Sequence, residues 1–101
     1  MTISAPVSGI SSKIEKAPVK ILYFAWVRQK VGRGSEELEP PAEVTTVGEL
    51  VTWLKTQGEE YAYAFEDEAA IRAAVDQSHQ AFDASIAGAK EVAFFPPVTG
   101  G

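Results

Sequence analysis

One stretch constrains this chain more than any other: "TVGELVTWLKTQG", residues 46–58. Thr46 and Glu49 have the spacing of a capping box, in which each side chain satisfies a free amide of the first helical turn. Val47, Leu50, Val51 and Leu54 follow the i, i+3, i+4, i+7 pattern of a single apolar face. Gly58 stands where a left-handed C-terminal cap belongs. This predicts a helix over residues 46–57 with one face to bury. The apolar runs around it read as strands, so the face must pack on a sheet. One helix on one side of a mixed sheet is an α+β architecture.

The strands follow from residue type and alternation. "VKILYFAW", residues 19–26, is β-branched and aromatic, and reads as the first strand. Ile21 and Tyr23 share one face; Leu22, Phe24 and Trp26 share the other. Both faces are apolar, so one packs on the core and the other is covered or used as a contact. "VRQKVGRGSEEL" reads as a turn. "ELEPP" is a short edge strand, because Pro40 and Pro41 do not fit within a central one. "EEYAYAFEDEAAI" is a short helix or a packed loop, and its Glu66-Asp67-Glu68 run is a solvated face or, alternatively, a docking surface. "IRAAVDQ" reads as a strand and "SHQAFDASIAGAKEV" as turns joining short extended pieces. "EVAFFP" is the final strand. Residues 1–18, rich in Ser, Ala and Pro, read as a disordered extension. The domain is then residues 19–97, followed by a tail over 98–101.

Composition narrows the function. The chain has 101 residues, 46% hydrophobic and 23% charged, which suits one soluble globular domain. A domain of this size has room for one core and little for a deep active site of its own. Its net charge of −5 argues against nucleic acid and anionic membranes as partners. The chain has no cysteine. That excludes disulfides, thiolate metal sites and a catalytic thiol, and fits a cytoplasmic location. His79, alone, makes no metal cluster and reads as a loop residue; Asp76 and Asp83 read as turn formers. Gly32-Arg33-Gly34 lacks the third glycine of a dinucleotide fingerprint, and no P-loop motif occurs.

The sequence ends "VAFFPPVTGG". Two glycines without Cβ atoms make a thread that enters a narrow slot. The carboxylate of Gly101 is the one chemical group at its tip. Pro96 and Pro97 restrict φ at the root of this arm. Phe94 and Phe95 point to opposite sides of their strand, so one faces the core and the other is free for a partner. Arg28 is either a solvated turn residue or a partner contact.

At "FDASIAGAKEVAFFPPVTGG" and "VKILYFAWVRQKVG" the chain resembles a known family, the small subunit of molybdopterin synthase, a ubiquitin-like sulfur carrier of the MoaD type. The resemblance covers about residues 19–101, and "EVAFFPPVTGG" is its most specific piece. It implies a β-grasp fold, a mixed sheet wrapped around one main helix. It implies that Gly101 is adenylated, with ATP, on an adenylyltransferase of the MoeB type. Gly101 then takes sulfur from a donor protein as a thiocarboxylate and enters the large synthase subunit on the slim arm of Gly100. There two sulfurs, one per carrier, build the molybdopterin dithiolene, in an assembly with two copies of each chain. The implied partner-binding residues are Phe94, Phe95, Pro96, Pro97, Val98, Thr99, Phe24 and Arg28. This chain itself binds no cofactor in that reading and is not catalytic alone.

The chemistry of the residues is consistent with this. A carboxylate is a poor electrophile until coupled to AMP, and a cysteine-free chain carries sulfur only in some such covalent way. Two features depart from the family pattern: residues 1–18 have no counterpart, and Lys90 precedes Glu91 where an acidic residue is frequent. Three other readings stay open. They are a sulfur carrier for thiamine or tRNA thiolation, a protein modifier joined through Gly101 to lysines, and a non-covalent binding module.

Overall fold

The computed structural model of the chain describes residues 18–97. The expected extension over 1–17 and the tail over 98–101 lie outside the described residues. The elements run β1 (Val19–Tyr23), α1 (Ala25–Val31), β2 (Ser35–Leu38), α2 (Val47–Lys55), α3 (Glu59–Ala64), a 3-10 turn (Glu68–Ala70), β3 (Arg72–Val75), β4 (Ser78–Gln80) and β5 (Glu91–Phe95).

Five strands form one mixed sheet in the order β2-β1-β5-β3-β4. β1 and β5 run parallel at its centre, and every other pair is antiparallel. The expected α+β, β-grasp arrangement is thus present, with the last strand along the chain in the middle of the sheet. Alternation sets the faces. Val19, Ile21 and Tyr23 of β1 are buried, as are Val92 and Phe94 of β5. They meet Val47, Leu50, Val51 and Leu54 of α2, each with no exposed surface.

The α2 cap is half of what its spacing predicts. Thr46 Oγ1 accepts from the Glu49 amide at 3.1 Å. Glu49 reaches past Thr46 and accepts from the Thr45 amide and hydroxyl at 2.7 and 2.9 Å. The remaining first-turn amides, which a helix cannot satisfy itself, donate to a neighbouring loop: Val47 to the Ala84 carbonyl and Gly48 to that of Phe82. Gly58 is not a left-handed cap. Its φ of 168° is extended, and it begins α3 instead.

The first strand is shorter than its apolar run. It ends at Tyr23, and the expected turn after it is α1, so among the described residues three helices rather than one cover the sheet. Phe24 stands at the helix N-cap with no side-chain cap bond, and Trp26 is in the helix, packed against the core. Val27 and Val31 fill the core from α1, which stops at Gly32 in the left-handed region, φ 91°. With no side-chain cap at its start, the helix is held by the Gly32 cap, whose amide donates to the Arg28 carbonyl, and by tertiary burial of that valine pair.

The β3–β4 hairpin closes through Asp76 and Gln77, both at positive φ (49° and 71°), the geometry of a type I′ turn. Asp76 Oδ1 also accepts from the amides of Lys90 and Glu91 at 2.9 and 3.1 Å. That bond anchors the start of β5 and so fixes the register of the strand that leads into the tail.

Candidate functional site: the outer sheet face and the root of the tail

The helices cover one side of the sheet. On the other, pairing aligns side chains in rows. Ser35, Leu22, Ala93, Ala74 and His79 stand side by side across all five strands. Below them, Glu37, Lys20 and Glu91 form a charged row of alternating sign. Above them, Phe95 pairs with Arg72. Phe24, whose amide donates to the Phe94 carbonyl at 3.0 Å, extends the β1–β5 ladder by one residue beside Phe95. The result is an apolar band, flat at the Ala93–Ala74 centre, with two phenyl rings at the end where β5 leaves the sheet.

Phe24 is 48% exposed, one of two large apolar side chains so open among the described residues. Phe95, Pro96 and Pro97 are half-buried. Phe94 is no surface contact. It is fully buried, with its ring 5.0 Å from Phe65 in an edge-to-face pair and stacked on Tyr23 at 6.4 Å. The pleat decides between the two phenylalanines: Phe94 shares the face of Val92, and Phe95 that of Ala93. Val98, Thr99, Gly100 and Gly101 lie outside the described residues.

Arg28 is exposed on α1 and lines an open cleft of about 550 Å³ with Ala25, Gln29, Gly32, Arg33 and Gly34. Its guanidinium lies along the loop backbone. A Cβ on Gly34 would stand 3.3 Å from its Cζ and Nε, so glycine is what admits it there. Because α1 starts where β1 ends, this cleft opens at the same end of the sheet as the root of the tail.

Behind the site lies a polar network that residue spacing did not signal. Tyr23 and Tyr61 both donate to Glu36 Oε2, at 2.8 and 2.5 Å, and Arg33 reaches Glu36 Oε1 at 3.1 Å. Burial alone would raise the Glu36 carboxyl, but the hydrogen bonds from Tyr61, Tyr23 and Arg33 outweigh it and hold the group below the usual glutamate value. Burial and the Glu36 carboxylate push Tyr61 up to about 12 and Tyr23 higher still. Arg33, read above only as part of a turn, is the cation of this network. His79 is likewise not in a loop: it lies on β4, with its ring 5.1 Å from that of Phe95.

Residues 21–101 match the profile of the ThiS family. The chain belongs to the ThiS family. It is 42% identical over 83 residues to the molybdopterin synthase sulfur carrier subunit of Escherichia coli, a match over 82% of this chain and 99% of that one. Small subunits of the MoaD type are thus its relatives, as "EVAFFPPVTGG" implied. A solved structure from Pyrococcus furiosus, described as a molybdopterin converting factor, subunit 1, superposes with a TM-score of 0.62 at 30% identity, over 81% of this chain and 99% of that one. Small archaeal modifier protein 1 of Haloferax volcanii superposes equally well, TM-score 0.62, at 22% identity over 81% of this chain and 99% of its own. At that identity the likeness speaks of the fold alone. No helix among the described residues is long and apolar enough to cross a membrane.

Proposed function

We propose that this ThiS-family domain is the sulfur-carrier small subunit of a molybdopterin synthase, acting from the cytoplasm. The observation that carries the reading is the position of Phe24 and Phe95. Phe24, exposed, and Phe95, half-buried, stand on the helix-free face of the sheet at the point where β5 passes into Pro96, Pro97 and the Gly-Gly arm. A large exposed apolar face marks an interaction site. Here it puts the docking surface and the base of the arm side by side, so a partner that binds one receives the other.

In this reading the Gly101 carboxylate attacks the α-phosphate of ATP held by the adenylyltransferase and releases pyrophosphate. Sulfur from a donor protein displaces AMP from the acyl adenylate, and the product is a thiocarboxylate. The domain then docks on the large synthase subunit through Phe24, Phe95 and the Leu22–Ala93–Ala74 band. Pro96 and Pro97 stiffen the root, Val98 and Thr99 line the entry, and Arg28 offers a guanidinium to a carboxylate of either partner. Gly100 lets the arm pass a narrow channel, and the thiocarboxylate sulfur is transferred to the pterin precursor. This chain supplies position and a sulfur nucleophile and binds no cofactor of its own.

The test uses two variants of the arm. Deleting Gly101 shortens it by about 3.3–3.6 Å, and adding one alanine after Gly101 displaces the reactive carbon and brings a methyl group into the slot. Both are expected to abolish ATP–pyrophosphate exchange with the adenylyltransferase and sulfur transfer in the reconstituted synthase, with folding unchanged. Intact mass of the wild-type carrier is expected to show one oxygen replaced by sulfur. Full activity of both variants overturns the reading, and isopeptide ladders on other proteins point instead to a modifier.

A further inference from the structure

We infer that the ridge of Trp26, Lys30, Tyr63 and Glu66, on the helix side of the sheet, is an interface between two free copies of this chain, with Lys30 of each copy paired to Glu66 of the other. The inference stands apart from the sulfur-carrier reading, because it uses neither the outer sheet face nor the arm.

Helices α1 and α3 pack side by side and run in opposite directions. Arg33, just past α1, donates to the Tyr61 hydroxyl early in α3, whereas Lys30 within α1 meets Tyr63 further along α3. Trp26, one turn before Lys30, thus lies toward the Glu66 end of α3. Lys30 Nζ stands 4.8 Å from the centre of the Trp26 ring and 4.4 Å from that of Tyr63. A ring face attracts the charge but does not replace a carboxylate as acceptor for the three N–H donors. Lysine is scarce in interface cores, where it gives up rotamer freedom. Lys30 has already given it up to the two rings, so less is lost on association. Tyr63 is 54% exposed, more than any other large apolar side chain among the described residues. Tryptophan and tyrosine are the side chains on which binding energy concentrates.

The charges on this ridge select a second copy as its occupant. Glu66 is exposed and follows Tyr63 by three residues, with its amide bonded back to the Tyr63 carbonyl at 3.4 Å. A cation and a carboxylate thus flank one open ring. They do not pair with each other within the chain; the neighbouring ion pairs are Arg33–Glu60 and Lys55–Glu68. A surface with opposite charges on the two sides of an aromatic centre is complementary to itself under a two-fold rotation through that centre, as an isologous dimer requires. With Tyr63 on the axis, the two rings stack and both Lys30–Glu66 contacts form. The net charge of −5 repels copies at long range, and salt screens that repulsion. The two local pairs then fix the orientation. With seven residues in α1 and six in α3, each helix offers about 10 Å of length. The contact is therefore smaller than the usual interface of about 800 Å² per partner, and the dimer is weak. Because the helices cover the other side of the sheet, dimerisation leaves the Phe24–Phe95 face open.

The test is sedimentation equilibrium of the full chain at physiological salt, from about 10 µM to about 1 mM, the range in which small interfaces dissociate. The wild type is expected to pass from monomer to dimer. Lys30→Glu sets carboxylate against carboxylate and Glu66→Lys sets cation against cation, so each variant alone is expected to associate at least about tenfold more weakly. An equimolar mixture of the two is expected to recover the dimer, because both contacts then join opposite charges. Tyr63→Ala is expected to weaken association about 30-fold, and Phe95→Ala, on the opposite face, to leave it unchanged. Thermal unfolding confirms that each variant is folded. A wild type that stays monomeric throughout overturns the inference. So does a mixture no more dimeric than its components, or a folded Phe95→Ala variant that loses the dimer. None of these outcomes bears on sulfur transfer, which the arm variants test separately.

Discussion

The hydroxyl of Tyr23 donates to Glu36 at 2.8 Å, across the β1–β2 pair that forms one edge of the sheet. Tyr23 also stacks on Phe94 of β5, so the same side chain joins an edge carboxylate to the aromatic core behind the outer sheet face. Glu36 is a charged acceptor with a side chain only 16% exposed, and hydrogen bonds to such groups contribute more than neutral ones. Its ion pair with Arg33 adds little by itself, since that guanidinium is 43% exposed.

The pH dependence of stability follows from the two directions of shift. Glu36 is lowered in the fold, so its contribution is complete above the ordinary glutamate value and is lost as pH falls through the folded one. Tyr61 is raised to about 12, so its contribution is complete below the ordinary tyrosine value and is lost as pH rises toward 12. Glu36→Gln is expected to cost about 1–3 kcal/mol at pH 7 and to flatten the acid limb of stability. Urea unfolding at a series of pH values checks this; an acid limb as steep in the variant as in the wild type contradicts it.

Leu50 sits at the centre of the α2 face with no exposed surface. Leu50→Ala is expected to cost about 2–5 kcal/mol. The unfolding midpoint reads it directly, and no shift would mean that the helix packs through another face.

Phe94 and Phe95 separate stability from docking. Phe94→Ala opens a cavity between Tyr23 and Phe65 and is expected to cost about 3–5 kcal/mol. Phe95→Ala leaves the core intact. It is expected to weaken capture by the large subunit by about 2 kcal/mol or more, with a much smaller change in unfolding midpoint. Calorimetric titration and thermal unfolding of both variants decide it, and equal effects of the two in both measurements count against the assignment of faces.

Gln77 holds a left-handed backbone, φ 71°, where a type I′ turn favours glycine. Gln77→Gly is expected to stabilise the domain, by up to about 1 kcal/mol. A lower unfolding midpoint for the variant would show that the Gln77 side chain contributes more than its backbone strain costs.

Much of this architecture was legible from residue spacing, and the misreadings have physical causes. The α2 face could be read because cap and period agree at Thr46, Leu50 and Leu54. Helix α1 could not, because "VKILYFAWV" is mostly β-branched and aromatic and Phe24 gives no side-chain cap. The one local signal was Gly32, whose left-handed φ ends α1 as Gly58 was expected to end α2. Of the candidate site, alternation alone puts Phe94 and Phe95 on opposite faces and Phe24 on the face of Leu22; which of the two phenylalanines faces outward is set by the register of β5 against β1 and β3. The Tyr23–Glu36–Tyr61–Arg33 network and the His79–Phe95 contact do not follow from alternation. Apart from the Arg33–Glu36 pair, three residues apart, they join residues distant in sequence that the strand order and the packing of α3 bring together.

That strand order has a consequence for synthesis. β5 lies between β1 and β3, yet of these five strands it is the last to be synthesised. A nascent chain halted before Glu91 leaves both neighbours without their hydrogen-bonding partner and takes Val92 and Phe94 out of the core. Truncated chains therefore never assemble the Phe24–Phe95 face, and any partner that recognises that face engages only chains whose translation has passed through β5.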